Sequence, residues 1–127
     1  MISEPVLVGQ WERVLGDLLD RTARFPKAVR HTLAVRLENH ALDILEDLIE
    51  ARFVAGTGRH AALRRADLRL ARMRALVRIA HERRYLDHRG YEHVARGMDE
   101  SGRMLGGWRK SQNDRDVVGS ERPDPDA

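Results

Sequence analysis

Arginine is concentrated in one stretch of the chain, residues 59–84. This stretch holds nine arginines against two acids, Asp67 and Glu82, for a net charge of +7. A guanidinium group matches the geometry of a phosphate and keeps its charge at every physiological pH. Such a basic segment can face water, an acidic neighbour or a polyanion, and phosphate binding is the chemistry that it is best suited to perform.

Other chemistry has little support in the sequence. None of the six histidines stands four residues from another, and no Glu-x-x-His repeat is present, so the ligand spacings of helical metal sites are missing. The chain has no cysteine, which excludes thiolate ligands and cysteine nucleophiles. Residues 56–58 (GTG) are typical of a helix end rather than of a phosphate-binding loop. We therefore predict no catalytic residue, no metal and no cofactor, and we rank a metal-dependent bundle enzyme last.

Length and composition indicate one helical domain. The chain has 127 residues, 42% of them hydrophobic and 34% charged, with only four prolines and few aromatic residues. No apolar run approaches the length of a membrane span, and the N-terminus lacks the features of a signal peptide, so we expect a cytoplasmic protein with no membrane partner. Residues 111–127 carry a net charge of −3 and little apolar content, which predicts a domain over residues 1–110 and a disordered acidic tail over 111–127.

Four segments have the apolar spacing of amphipathic helices, and they position the arginines. The segments cover about residues 5–24, 28 or 31 to 53, 59–84 and 88–110. Pro26 separates the first two, with Phe25 directed toward the core. In the arginine segment, the apolar positions are Leu63, Ala66, Leu70, Met73, Val77 and Ala80. Because the connections are short, we predict an all-α, antiparallel, up-down-up-down four-helix bundle.

This topology places the connections at residues 24–30 and 84–88 at the same end of the bundle. Basic residues outnumber acids at that end, which extends the basic surface of the third helix. We predict that both regions contact nucleic-acid phosphates. The candidates on the helix are Arg64, Arg65, Arg69, Arg72, Arg74 and Arg78, and those at the bundle end are Arg24, Lys27, Arg30, Arg83 and Arg84.

The arginines have a second interpretation, which is pairing with the second helix. Its predicted outer face carries Asp43, Glu46, Asp47 and Glu50, which could bind some of the arginines across the hairpin. The segment 31–54 has a net charge of −3, so pairing would leave much of the +7 uncompensated. We therefore favour a polyanion partner over simple solvation. Glycines in the fourth helix, a wide apolar face on the second and two tryptophans also suit a homo-oligomer.

A series of short segments resembles a known family. Residues 24–27 (RFPK), 36–39 (RLEN), 41–43 (ALD), 50–53 (EARF), 66–70 (ADLRL), 74–78 (RALVR), 91–93 (YEH) and 102–108 (GRMLGGW) follow in order. Together they resemble the accessory variability determinant (Avd) of bacterial diversity-generating retroelements, in a wider family of bundles that includes proteins encoded in ribosomal RNA intervening sequences. Ser101 stands where an aliphatic residue is usual, which affects local packing.

The resemblance implies a specific function. It implies a homopentamer of four-helix bundles that has no enzymatic activity and binds the reverse transcriptase of the element together with RNA or DNA. Such a protein supports mutagenic retrohoming, in which a template RNA directs the diversification of a target gene. Two alternatives stay open: an oligomeric protein-binding scaffold, and a bundle of the ribosomal intervening-sequence type with no retroelement role.

Overall fold

The computed structural model describes the backbone of residues 4–121 and the side chains of residues 6–115. Within this range the chain forms four α-helices and no strand, which confirms the all-α prediction. The helices are α1 (Glu4–Thr22), α2 (Val35–Phe53), α3 (Gly56–Glu82) and α4 (His88–Glu121). A 3-10 helix (Lys27–Val29) and a π-helical turn (Arg30–Ala34) connect α1 to α2. None of these helices is long and apolar enough to span a membrane.

One apolar core holds the four helices together. α1 contacts α2 and α4, and α3 contacts the same two helices from the other side. All six predicted apolar positions of α3 are buried, because their alternating steps of three and four keep them on one face. Trp11 of α1 is fully buried, and its indole N–H donates a 2.8 Å hydrogen bond to the carbonyl of Ala41 in α2. Phe25 is buried as predicted.

The apolar face of α2 is narrower than its sequence suggested. Leu37, Ala41, Ile44, Leu48 and Ala51 are buried, but two other large apolar residues of this helix are exposed. Ile49 is 41% exposed and Phe53 is 80% exposed. Together with Leu42, they form an apolar stripe on the side of α2 that faces away from the core.

Two helix boundaries differ from the prediction. The third helix begins at Gly56, whose φ of 60° is accessible to glycine, so the glycines at residues 56–58 start α3 instead of separating two helices. The fourth helix does not end near residue 110 but continues to Glu121, with Gln112 buried. Residues 122–127 of the predicted disordered tail lie outside the described residues, and their disorder stays a prediction.

Two glycines of α4 lie where a neighbouring helix packs closely against it. A Cβ atom at Gly97 would lie 3.0 Å from Val14 of α1, and one at Gly102 would lie 2.6 Å from the Arg74 guanidinium of α3. These positions let α1 and α3 approach α4 closely. Ser101, between them, is 3% exposed, and its hydroxyl finds no hydrogen-bond partner among the described residues. A hydroxyl therefore occupies a packing position where the family resemblance favours an aliphatic side chain.

Candidate nucleic-acid interface

Acids of α2 bind two of the candidate arginines at the α2–α3 contact. Arg65 donates a 3.2 Å hydrogen bond to Asp47 and a second bond to Glu50, while Arg69 pairs with Asp47 and, at 3.7 Å, with Asp43. The interpretation of this acidic stripe as an outer face was therefore wrong for Asp47, which is buried, whereas the side chains of Asp43 and Glu50 are each 47% exposed. Residues 43, 47 and 50 share one side of the helix, and that side faces α3. We call these five residues the ion-pair strip.

Burial makes Asp47 the centre of the strip. Its side chain is 9% exposed, so its charge depends on the two guanidinium groups that contact it. Hydrogen bonds to Asp47 and Glu50 raise the pKa of Arg65, and burial acts against them. Arg65 and Arg69 are thus engaged in helix packing, which confirms the alternative that acids of the second helix pair with some arginines of the third.

Two more arginines of α3 have partners within the chain. Arg74 lies 3.6 Å from Asp99 of α4. Arg59 donates to the carbonyls of Ala51 and Val54, at 2.7 and 3.1 Å, and so satisfies backbone acceptors at the end of α2. Its guanidinium also lies 5.8 Å from the centroid of the Trp108 ring. Arg59 therefore has a structural role that could not be predicted from the sequence.

The other arginines of this segment are exposed. Arg64, Arg72, Arg78, Arg83 and Arg84 make no ion pair with any acid in the described part of the chain. The first three lie within roughly 120° on the outer half of α3, given 100° per residue. About half of the nine positive charges therefore remain available to a partner.

The two connections meet at one end of the molecule, as predicted. The rings of Phe25 and Tyr85 lie 5.8 Å apart, and Arg21, Arg24 and Tyr85 line the same small cavity. Arg24, Lys27 and Arg30 are exposed on the first connection, and Arg83 and Arg84 on the second. We call these five residues the basic end.

Arg84 occupies a backbone conformation that normally belongs to glycine. Its φ is 65°, and it directly follows Arg83, the C-terminal cap of α3. The Arg84 N–H donates to the carbonyl of His81, and the Tyr85 N–H donates to that of Ala80, which is the hydrogen-bond pattern of a Schellman motif. An L-residue in the left-handed region costs roughly 1–2 kcal/mol. The sequence thus places an arginine side chain where glycine would fit the backbone better.

His40 reports the charge around α2 and α3. Its pKa lies below the ordinary value because of burial and then because of Arg72, with smaller contributions from Arg36 and Arg69, and Asp43 opposes them. The three arginines thus act in the same direction as burial, and Asp43 of the ion-pair strip acts against them. Among the described residues, no three His, Asp or Glu side chains come together as metal ligands.

These features define a small all-α protein that holds part of its arginine charge in internal ion pairs and exposes the rest. The chain belongs to the bAvd-like family, whose model matches residues 5–112. The resemblance to accessory variability determinants is thereby confirmed, while the relation to ribosomal intervening-sequence proteins stays a prediction. No curated protein and no solved structure gave a significant match to the chain.

Proposed function

We propose that this chain is a non-enzymatic accessory protein of a retroelement reverse transcriptase and that it binds RNA or DNA during mutagenic retrohoming. Membership of the bAvd-like family supports the retroelement role. The observation that carries the nucleic-acid part is the set of exposed arginines without acidic partners, on α3 and at the basic end. Arginine forks in such numbers suit phosphate contacts that are tolerant of sequence.

The eleven candidate residues divide into two groups under this proposal. The phosphate-binding group consists of Arg64, Arg72, Arg78, Arg83, Arg84, Arg24, Lys27 and Arg30. Arg65, Arg69 and Arg74 belong to a second group, since each has an acidic partner in the chain. They contribute to the positive potential, but a phosphate must compete with a carboxylate for their hydrogen bonds.

The proposed assembly is a homopentamer of antiparallel bundles. The order of the ion pairs supports the antiparallel arrangement of α2 and α3: Glu50 and Asp47 contact Arg65, whereas Asp47 and Asp43 contact Arg69. The apolar stripe of Leu42, Ile49 and Phe53 supports self-association, because a second copy would remove it from water. The two tryptophans do not, since both are buried within the chain.

Salt-dependent binding tests the proposal. Purified protein is titrated with a labelled single-stranded RNA and a DNA duplex over a series of salt concentrations, while its mass in solution is measured. Each phosphate contact contributes about 0.7–0.9 to the slope of log affinity against log salt. A triple variant with Arg64→Gln, Arg72→Gln and Arg78→Gln should lower that slope by about 2–3.

A matched triple variant controls for net charge. Arg13→Gln, Arg96→Gln and Arg103→Gln remove three exposed arginines of α1 and α4 and leave the proposed surface intact. If both triple variants lowered the salt slope equally, binding would depend only on the total charge. The proposal of a specific binding surface would then be wrong. Absence of binding in the unmodified protein, with the oligomer intact, would favour the protein-binding scaffold, for which the exposed stripe on α2 is the specific observation.

A further inference from the structure

A groove of about 530 Å³ opens beside the basic end. The π-helical turn and the start of α2 form one wall, and the last turns of α3 with the following connection form the other. Its lining contains no acid and combines a cationic rim that includes Arg36 and Arg83 with an apolar floor of Leu33, Leu76, Ile79 and Tyr85.

The floor is apolar and reachable from solvent. Leu33, Leu76 and Tyr85 are partly buried and pack against the core, so the floor is fixed in place. Ile79 is 44% exposed on the neighbouring turn of α3. The Tyr85 ring also contacts Phe25, and two backbone hydrogen bonds of the Schellman motif position the chain around it.

The rim carries positive charge without internal compensation. Arg36 and Arg83 are exposed, and neither forms an ion pair with an acid in the described range. His31 adds a third nitrogen donor. The rim continues into Arg30 and Arg84, so the groove lies directly on the proposed phosphate-binding surface.

We propose that this groove receives one unpaired nucleotide of a single-stranded nucleic acid, an inference that rests on the proposed function. The base would lie on the apolar floor against Tyr85 and Ile79, and its phosphate would contact Arg36 and Arg83. Aromatic rings bind any base by stacking, and an arginine fork matches a phosphate. The volume lies within the ~300–1,000 Å³ that is usual for small-molecule sites.

The backbone geometry of one wall is consistent with a binding site. A π-helical turn is rare and is found frequently at functional sites. Here it spans Arg30–Ala34 and supplies His31, Thr32 and Leu33 to the groove. An acidic peptide with apolar side chains would also be complementary to this groove. The continuity of the rim with the basic end favours a phosphate backbone.

A pair of matched variants on α3 tests the groove. Ile79→Gln removes apolar surface from the groove, whereas Leu68→Gln removes it from an exposed position on the same helix outside the groove. Neither substitution changes the charge. Ile79→Gln should weaken binding of an eight-nucleotide single-stranded RNA by roughly threefold to tenfold and leave a duplex of equal charge within twofold. Leu68→Gln should change neither affinity.

A mononucleotide separates the groove from the larger surface. Adenosine monophosphate at millimolar concentration should shift the NMR signals of the Ile79 methyl groups and the Tyr85 ring, and Arg36→Gln with Arg83→Gln should abolish the shifts. These shifts would support the groove even if long nucleic acids failed to bind, which would overturn only the proposed function.

Three results would overturn the groove proposal. The first is an absence of shifts at Ile79 and Tyr85. The second is an equal effect of Ile79→Gln on single-stranded RNA and duplex. The third is an acidic peptide that shifts the same signals and binds more tightly than the RNA, which would assign the groove to a protein partner.

Discussion

The ion-pair strip and the basic end contain the same residue type in opposite electrostatic situations. In the strip, Arg65 and Arg69 surround a buried carboxylate, so their charges are balanced within the chain. At the basic end, Arg83 and Arg84 are exposed and make no ion pair in the described part of the molecule. Arginine density along a sequence therefore does not measure the charge available to a partner, because helix rotation decides which guanidinium groups meet an acid.

The largest expected effect comes from replacing the two arginines of the ion-pair strip. Arg65→Gln with Arg69→Gln leaves Asp47 buried without a cation, which should lower the free energy of unfolding by about 3 kcal/mol. Urea denaturation measures this loss. Arg83→Gln with Arg84→Gln removes the same charge from exposed positions and should change stability by no more than ~0.5 kcal/mol. Similar losses in the two double variants would remove the distinction between the regions.

In nucleic-acid binding, the double variant at the basic end should show the larger loss and the double variant of the ion-pair strip the smaller one. Arg83→Gln with Arg84→Gln removes two proposed phosphate contacts and should lower the salt slope by about 1.4–1.8. The variant with Arg65→Gln and Arg69→Gln, measured under conditions in which it remains folded, should retain most of the salt slope. A strip variant that lost as much slope as the end variant would show that phosphates displace the carboxylates from Arg65 and Arg69.

Arg84→Gly separates stability from binding at a single residue. Glycine relieves the left-handed conformation but increases the entropy of the unfolded chain, so the net gain in stability should be up to ~1 kcal/mol. The same variant should bind nucleic acid more weakly, because it loses a guanidinium. Arg83→Gly is the control for stability, because Arg83 has an ordinary φ of −81°. This variant should therefore lower the free energy of unfolding by about 0.5–1 kcal/mol. A stabilised variant with unchanged affinity would remove Arg84 from the binding surface.

The smallest effect concerns His40, which lies between the two regions. Its lowered pKa means that the unfolded chain binds a proton more readily, so its contribution to stability is complete above about pH 6.5 and is lost as the pH falls below 6.5 through the lower pKa of the folded state. Urea denaturation at a series of pH values should show the same pH dependence in the difference in free energy of unfolding between the unmodified protein and the His40→Gln variant. A bound polyanion near Arg72 and Arg36 should raise the pKa of His40, which an NMR titration would detect.

An unchanged His40 pKa in a nucleic-acid complex would move the proposed contacts away from Arg72. A raised pKa together with unchanged signals at Arg83 would instead confine binding to the outer face of α3. The histidine thus distinguishes the two parts of the proposed surface without any substitution.

The fold was predictable where periodicity alone determines it. The apolar positions of α3, the break at Pro26 and the burial of Phe25 follow from spacing and from backbone chemistry, and the structure has all three. The meeting of the two connections also followed, because short loops leave few ways to connect four helices. The helix boundaries were harder to predict, since α4 continues beyond residue 110 through a polar segment to Glu121.

The candidate site was only partly predictable. The numbers of arginines and acids can be read directly from the sequence, but the pairing of Asp47 with two arginines depends on the rotation of α2 about its axis. Arg36 was not predicted as a site residue, because its place beside Arg83 in the groove depends on the π-helical turn. Nor does the sequence reveal the left-handed Arg84, since arginine is unusual at that position.

The length of α4 has an electrostatic consequence. Its 34 residues span about 51 Å from His88, beside the basic end, to Glu121. Residues 111–121 of the helix carry three acids and one arginine in the sequence, for a net charge of −2. The molecule therefore has a permanent electric dipole along this helix. In the field of a polyanion, such a dipole would turn the molecule during approach so that the arginines arrive first and the acidic terminus points away.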